Sequence, residues 1–248
     1  MDRTFYLGTH HPDWLNKAKV PLFVSRNRFL KRRSFPRAST RWALDSGAFT
    51  ELSIRGRWTV PATQYAREVR LFFQEIGHLD FAAPQDWMCE PWILEKTGLS
   101  LAEHQLRTLR NFLELQDLAP DVPWIPVLQG WAVYDYWRHV EMYAASGVDL
   151  ARQPLVGVGS ICRRQATKTA SGILASLATA YGLQLHAFGL KTLGLRRSSA
   201  YLTSADSMAW SMAARRAGAA LPGCSHASCS NCLRFALLWR SELPEGWR

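Results

Sequence analysis

The chain has 248 residues, 48% hydrophobic and 20% charged, with a net charge of +10. That composition excludes a disordered chain and suits one barrel or one and a half ordinary domains. No apolar run reaches the roughly 18 residues of a membrane span, so no membrane role is expected. The opening MDRTFYLGTHH lacks the basic-then-apolar pattern of a secretion signal, which points to the cytoplasm. There, five cysteines read as thiols or metal ligands rather than disulfides. The positive charge suits a polyanion such as nucleic acid, although a merely solvated basic surface would look the same.

Short apolar runs alternate with helical patterns along the chain. The runs are Phe5–Gly8, Leu22–Ser25, Trp42–Leu44, Leu79–Ala83, Trp124–Leu128, Leu155–Val158, Leu183–Phe188 and a weak one at Tyr201–Thr203. Helices are expected at Pro61–Ile76, Ser100–Leu115, Tyr134–Ala145, Gln165–Tyr181 and Ser207–Ala217. Pro61 suits a first turn, and Ser100 with Glu103 has the spacing of a capping box. Lys31–Thr40 reads as a basic loop. Eight strand candidates separated by helices predict a (β/α)8 TIM-like barrel, with an open doubly wound sheet as the alternative. The barrel is expected over residues 1–218, followed at 219–248 by a small zinc-binding segment and a C-terminal helix packed on it.

A barrel carries its chemistry at the C-terminal ends of its strands. Those ends read Asp45-Ser46-Gly47-Ala48-Phe49, Ala83-Pro84-Gln85-Asp86-Trp87, Leu128-Gln129-Gly130-Trp131, Gly157-Val158-Gly159-Ser160, His186-Ala187-Phe188-Gly189 and Ser204-Ala205-Asp206-Ser207. Three carboxylates, a carboxamide and several glycines thus fall at corresponding places. Taken singly, Asp45 also fits a turn, and Asp86, Ser204 or Asp206 a helix cap.

The strongest local signal is Cys224-Ser225-His226-Ala227-Ser228-Cys229-Ser230-Asn231-Cys232. Three thiols and an imidazole make a four-coordinate structural zinc site from Cys224, His226, Cys229 and Cys232, with no open position for catalysis. A loop of free thiols, or a fourth ligand other than His226, is the alternative. Cys89 and Cys162 have no partners in the sequence, and Cys162 is expected near a strand end.

These residues together resemble the tRNA-guanine transglycosylase superfamily, zinc-bearing barrels that exchange a guanine base without breaking the strand. Asp45-Ser46-Gly47-Ala48-Phe49 is similar to the family's Asp-Ser-Gly-Gly-Phe/Tyr motif, Val127-Leu128-Gln129-Gly130 to its Val-Gln-Gly, and Val156-Gly157-Val158-Gly159 to its glycine-rich turn. The likeness spans Trp42 to Cys232. It departs at the metal motif, Cys-x-His-x-x-Cys-x-x-Cys here against Cys-x-Cys-x-x-Cys with a distant histidine in the tRNA enzymes. The wording of Leu79–Trp87 and Gly159–Arg164 looks closest to the DNA deazapurine-modification (DpdA-like) transglycosylases of bacterial modification clusters and phages.

The resemblance implies Asp206 as nucleophile and Asp45 as general acid/base. It implies Phe49, Asp86, Gln129, Gly157, Gly159 and Gly189 around the base. The expected activity exchanges guanine in DNA for a 7-deazaguanine base such as 7-cyano-7-deazaguanine, through a covalent aspartyl intermediate. A target in duplex DNA would have to be flipped out. Arg163 and Arg164, after a strand end, are candidate phosphate contacts; Lys31-Arg32-Arg33 and Arg196-Arg197 are others, and Lys191 is a weaker one. A partner protein of a DNA-modification system is a further possibility. Alternatives are tRNA as substrate, a catalytically silent nucleic-acid-binding barrel, and a small-molecule enzyme using the glycine-rich strand ends for a phosphate.

Overall fold

The computed structural model describes residues 3–247. Eight parallel strands form one sheet: β1 (Thr4–Thr9), β2 (Leu22–Ser25), β3 (Trp42–Asp45), β4 (Leu79–Ala82), β5 (Val127–Leu128), β6 (Val156–Val158), β7 (Leu185–Ala187) and β8 (Ser204–Ser207). Their order is β4-β3-β2-β1-β8-β7-β6-β5, so β1 and β8 pair and the sheet curls round on itself. Where β4 meets the approach to β5, a single parallel bridge joins Ala82 and Trp124. Ala82 N–H donates to Pro123 O at 3.0 Å, and Ile125 N–H to Ala82 O at 3.2 Å. Pro123 and Pro126 lack amide donors, which cuts β5 to two residues where Trp124–Leu128 was expected.

Nine helices accompany the strands among the described residues: α1 (Ala48–Thr50), α2 (Ala62–Ile76), α3 (Pro91–Thr97), α4 (Leu101–Leu118), α5 (Val133–Ala145), α6 (Lys168–Ala180), α7 (Thr192–Ser198), α8 (Ala209–Ala217) and α9 (Leu233–Ser241). In α2 the buried positions Tyr65, Ala66, Val69, Phe72 and Ile76 recur at helical spacing and make one core-facing stripe. At α4 the Ser100 hydroxyl accepts from the Glu103 amide at 3.2 Å, the expected N-cap.

The strand pleat sorts side chains into two cores. Phe5, Leu7, Leu22, Val24, Trp42, Leu44, Leu185, Ala187 and Ala205 face the helices and join the main core. The alternate residues Tyr6, Phe23, Ala43 and Phe81 point into the barrel and pack there as a separate cluster. His186 completes this inner layer, with its ring 4.9 Å from Phe81 and 4.6 Å from Phe188, centroid to centroid.

The C-terminal segment is fastened to the barrel. Ala236, Leu243 and Trp247 are buried in the main core. Trp247 Nε1 donates to Ser199 Oγ at 2.8 Å, and Ser211 Oγ to Ser230 O at 2.7 Å.

Three expectations need correcting. The last strand is Ser204–Ser207, not Tyr201–Thr203, because Ser199–Tyr201 forms a 3-10 turn. Asp206 therefore lies inside the strand. With Ser207 in β8, α8 begins at Ala209 rather than Ser207. Helix α6 begins at Lys168 rather than Gln165, because the Thr167 hydroxyl caps it by accepting from Ala170 N–H at 3.2 Å.

Candidate active site

Moving two residues on from the inner layer gives the next layer towards the strand C termini. From Tyr6, Phe23, Ala43, Phe81, His186 and Ser204 it leads to Gly8, Ser25, Asp45, Ala83, Phe188 and Asp206. All six line one cavity of about 300 Å³. Gln129 and Gly159 complete that ring, and Asp86, Phe49, Met88, Glu90, Ser160, Cys162 and Gly189 enter from the loops above it. The barrel period thus brings Asp45 and Asp206, and the loop after β4 brings Asp86, into one chamber with an aromatic floor.

Asp86 and Gln129 are tied together. Gln129 Nε2 donates to Asp86 Oδ2 at 2.5 Å, and Ser46 Oγ to Asp86 Oδ1 at 3.1 Å. The Ser160 hydroxyl accepts from Cys89 N–H at 2.8 Å, so its own proton is free to reach Gln129 Oε1 at 2.6 Å. The carboxamide therefore has one orientation, amide nitrogen towards Asp86. Ser160 holds this position with φ at +55°, a region that non-glycine residues seldom occupy. Gly159 leaves the necessary space: a Cβ there would lie 2.2 Å from Gln129 Nε2.

Burial pushes the Asp86 carboxyl up to about 7, with the charge of Asp45 adding to the effect; the bonds from Ser46 and Gln129 oppose it. Asp45 is also raised above the ordinary carboxylate range, first by burial and then by the negative charge of Asp206. Hydrogen bonds from Ser25 and the Gly47 amide work against that shift. Asp86, held near neutrality, can give and take protons at physiological pH.

Asp206 sits on β8, and its Oδ1 accepts from Gly189 N–H at 2.9 Å. His186 Nε2 lies 3.3 Å from the same oxygen but out of line for a hydrogen bond. His186 Nδ1 is 2.9 Å from Ser204 Oγ.

Other candidates are placed differently from the expectation. Gly157 belongs to the floor layer beneath Phe188, where a Cβ would meet the ring at 2.6 Å, and it does not line the cavity. Arg163 and Arg164 diverge after β6. Arg163 lies over the rings of Phe49 and Trp92, at 5.4 and 4.8 Å, with its Nε 3.4 Å from the buried Glu90. Arg164 lies over Trp131 at 4.1 Å and donates through Nε to Ser160 O at 3.1 Å. Arg196 and Arg197 are exposed in the last turn of α7, away from the strand C termini, and neither lines the cavity. Glu90, Ser160 and His186 did not stand out in the sequence. The pleat offset from known strand ends would have found His186; nothing local marks Glu90.

Outside the barrel, the ligating atoms of Cys224, His226, Cys229 and Cys232 all lie within 4.8 Å of one another. The buried Cys229 Sγ accepts from Leu221 N–H at 3.2 Å and lies 3.2 Å from His226 Nε2. Such a backbone bond to sulfur suits a thiolate ligand, and the Cys3His set could hold a metal ion. None of the four lines the cavity.

The family model described as DpdA, DeoxyPurine in DNA protein A, matches residues 1–246. The chain belongs to the DpdA family. Membership is consistent with the barrel and the possible metal site, and supports a DNA deazapurine-modification transglycosylase in general terms. Among curated proteins, none matches the chain. Among the described residues, no helix is long and apolar enough to cross a membrane.

Proposed function

We propose that this DpdA-family protein is a DNA-guanine transglycosylase, replacing guanine in DNA with a 7-deazaguanine base such as 7-cyano-7-deazaguanine. The observation that carries the reading is the meeting of three carboxylates in one chamber, two of them with raised pKa values.

In this reaction an Asp206 carboxylate oxygen attacks C1′ of the target nucleotide, and the C1′–N9 bond breaks with its electron pair going to the base. Asp45 gives its proton to the departing guanine. It then takes the N9 proton of the incoming deazaguanine, whose nitrogen attacks C1′ and releases the Asp206 carboxylate. Two inversions leave the sugar configuration unchanged. The Gly189 amide fixes Asp206 from one side, leaving its other oxygen for attack. Asp86 as carboxylate and Gln129 present acceptors and a donor to the guanine edge, while Phe49 and Gly159 bound the base on its faces.

The Cys3His set suits zinc, held by Cys224, His226, Cys229 and Cys232 as a structural closure between α8 and α9. The net charge of +10 suits DNA as the polymer, and Arg163 and Arg164, in the loop that follows the cavity-lining Gly159 and Ser160, are placed to meet its phosphates. A cytoplasmic setting is consistent with five cysteines that form no disulfide.

The test is base exchange. Purified protein is incubated with 7-cyano-7-deazaguanine and guanine-containing DNA or tRNA, the polymer digested, and the nucleosides identified by mass. The expected product is a deazaguanine deoxynucleoside that vanishes with Asp206→Ala. A ribonucleoside product instead would return the chain to tRNA, and no product from either polymer would overturn the reading.

A further inference from the structure

Large aromatic side chains are rarely left on a surface in a row. Here Trp131, Tyr134 and Trp137 are all exposed, Tyr134 at 65%. Trp131 follows two residues after the cavity-lining Gln129, in the turn between β5 and α5. Tyr134 lies in the first turn of α5, and Trp137 follows at i+3 on the same helix face. The stripe therefore starts beside Gln129 and runs outward along α5. Its start is held firmly: Trp131 and Ala132 amides both donate to Asp135 Oδ2, at 2.9 and 2.7 Å. Trp137 is fixed by its Nε1 donating to Ser176 Oγ at 3.3 Å, which leaves its ring face outward.

Two arginines border the stripe, against one carboxylate, Asp135, that is engaged by the Trp131 and Ala132 amides. The Arg164 guanidinium covers Trp131 at 4.1 Å, and Arg138, bonded to Gln105 Oε1 at 2.9 Å, flanks Trp137 in sequence. The exposed Glu141, one turn beyond Trp137, marks the outer limit. Rigid aromatic faces interleaved with arginines are the chemistry of an unpaired nucleic-acid strand: bases stack on the rings and phosphates meet the guanidinium groups. A duplex, whose bases are already stacked on one another, offers these rings nothing.

We infer that Trp131, Tyr134 and Trp137, with Arg164, form a track for unpaired nucleotides next to the base held in the cavity. The chain thus acts on single-stranded or locally opened DNA. This rests on the proposed function and narrows its substrate to an unpaired strand.

The test is the affinity of the full chain for a fluorescent guanine-containing 12-nucleotide single strand and for the same sequence as a duplex. Tyr134→Ala/Trp137→Ala should weaken single-strand binding by about tenfold or more and leave duplex binding within about twofold; a thermal melt checks that the variant, which loses the Trp137–Ser176 bond, is fully folded at the assay temperature. Equal single-strand affinity in the variant and wild type overturns the track and leaves the stripe to a protein partner; equal loss on both polymers overturns it too. Exchange by the wild type on the same single strand separates the two ideas. Exchange with an unaffected double variant sinks the track alone, whereas absence of any modified nucleoside sinks the proposed reaction.

Discussion

The Gly189 amide donates to Asp206 Oδ1 at 2.9 Å, from the turn that follows β7 to the strand beside it. The bond holds one carboxylate oxygen of a side chain that lines the chamber. Gly189 has φ at +66°, and a Cβ there would lie 2.8 Å from Cys162 Cβ. Asp206→Ala is expected to abolish exchange and any covalent enzyme–DNA species while keeping the melting temperature. Gly189→Ala should lower the exchange rate by about tenfold or more and also cost stability, since it strains the backbone and crowds Cys162. Denaturing electrophoresis of trapped complexes and thermal melts check both; a covalent adduct in Asp206→Ala would assign the nucleophile elsewhere.

Asp86 carries the pH dependence. A carboxyl raised to about 7 in the fold binds a proton that the unfolded chain has released above about pH 4. Its contribution to stability is therefore greatest at low pH and declines as pH rises from about 4 to 7, by on the order of a few kcal/mol. Asp86→Asn should flatten this slope in denaturant melts taken across that range. Base binding should run the other way, strengthening as pH rises through about 7, because a guanine edge offers donors that only the carboxylate accepts on both oxygens. Titration of 7-cyano-7-deazaguanine binding against pH, showing no inflection near 7 in the wild type, would refute this role.

Gln129 depends on its glycine neighbour. Gly159→Ala would put a Cβ 2.2 Å from Gln129 Nε2, a clash that forces the carboxamide off Asp86. The expected result is a KM for the incoming base raised by about tenfold or more, with a smaller change in kcat. Steady-state kinetics decides it, and an unchanged KM would mean that Gln129 does not touch the base.

The metal set makes a separate prediction. Of the four candidate ligands, Cys229 is the buried one, in the turn between α8 and α9. Cys229→Ser should lose bound zinc and lower the melting temperature together, because metal binding in such a site is folding free energy. Metal content by plasma emission with a parallel melt tests this; full metal retention would exclude Cys229 as a ligand.

What could be read from the sequence follows from how local each signal is. The Cys3His set and Asp45-Ser46-Gly47 lie within a few residues, so spacing alone displays them. Gln129 and Gly159 are legible because each stands just past a strand end, whereas Asp206 lies inside β8. The location of β8 was missed since its inward residues, Ser204 and Asp206, are polar and its outward ones small, which leaves no apolar alternation to read. β5 was overextended because its apolar residues outnumber its available amide donors. The bonds of Ser160 and the divergence of Arg163 and Arg164 depend on contacts between segments far apart in the chain, which no local pattern encodes.

The seam between β4 and β5 gives the chamber one more property. Backbone pairing there is reduced to the Ala82–Trp124 bridge, and the residues that follow these two strands are Asp86 and Gln129. Their hydrogen bond is thus a clasp across the weakest line of the barrel. A base that recruits either group for recognition loosens that clasp and must supply its own bonds in return. Under the proposed function, reading the base and keeping the cylinder shut would be one act: an occupant with the wrong edge would leave the ring partly unlatched, and the correct one would relatch it.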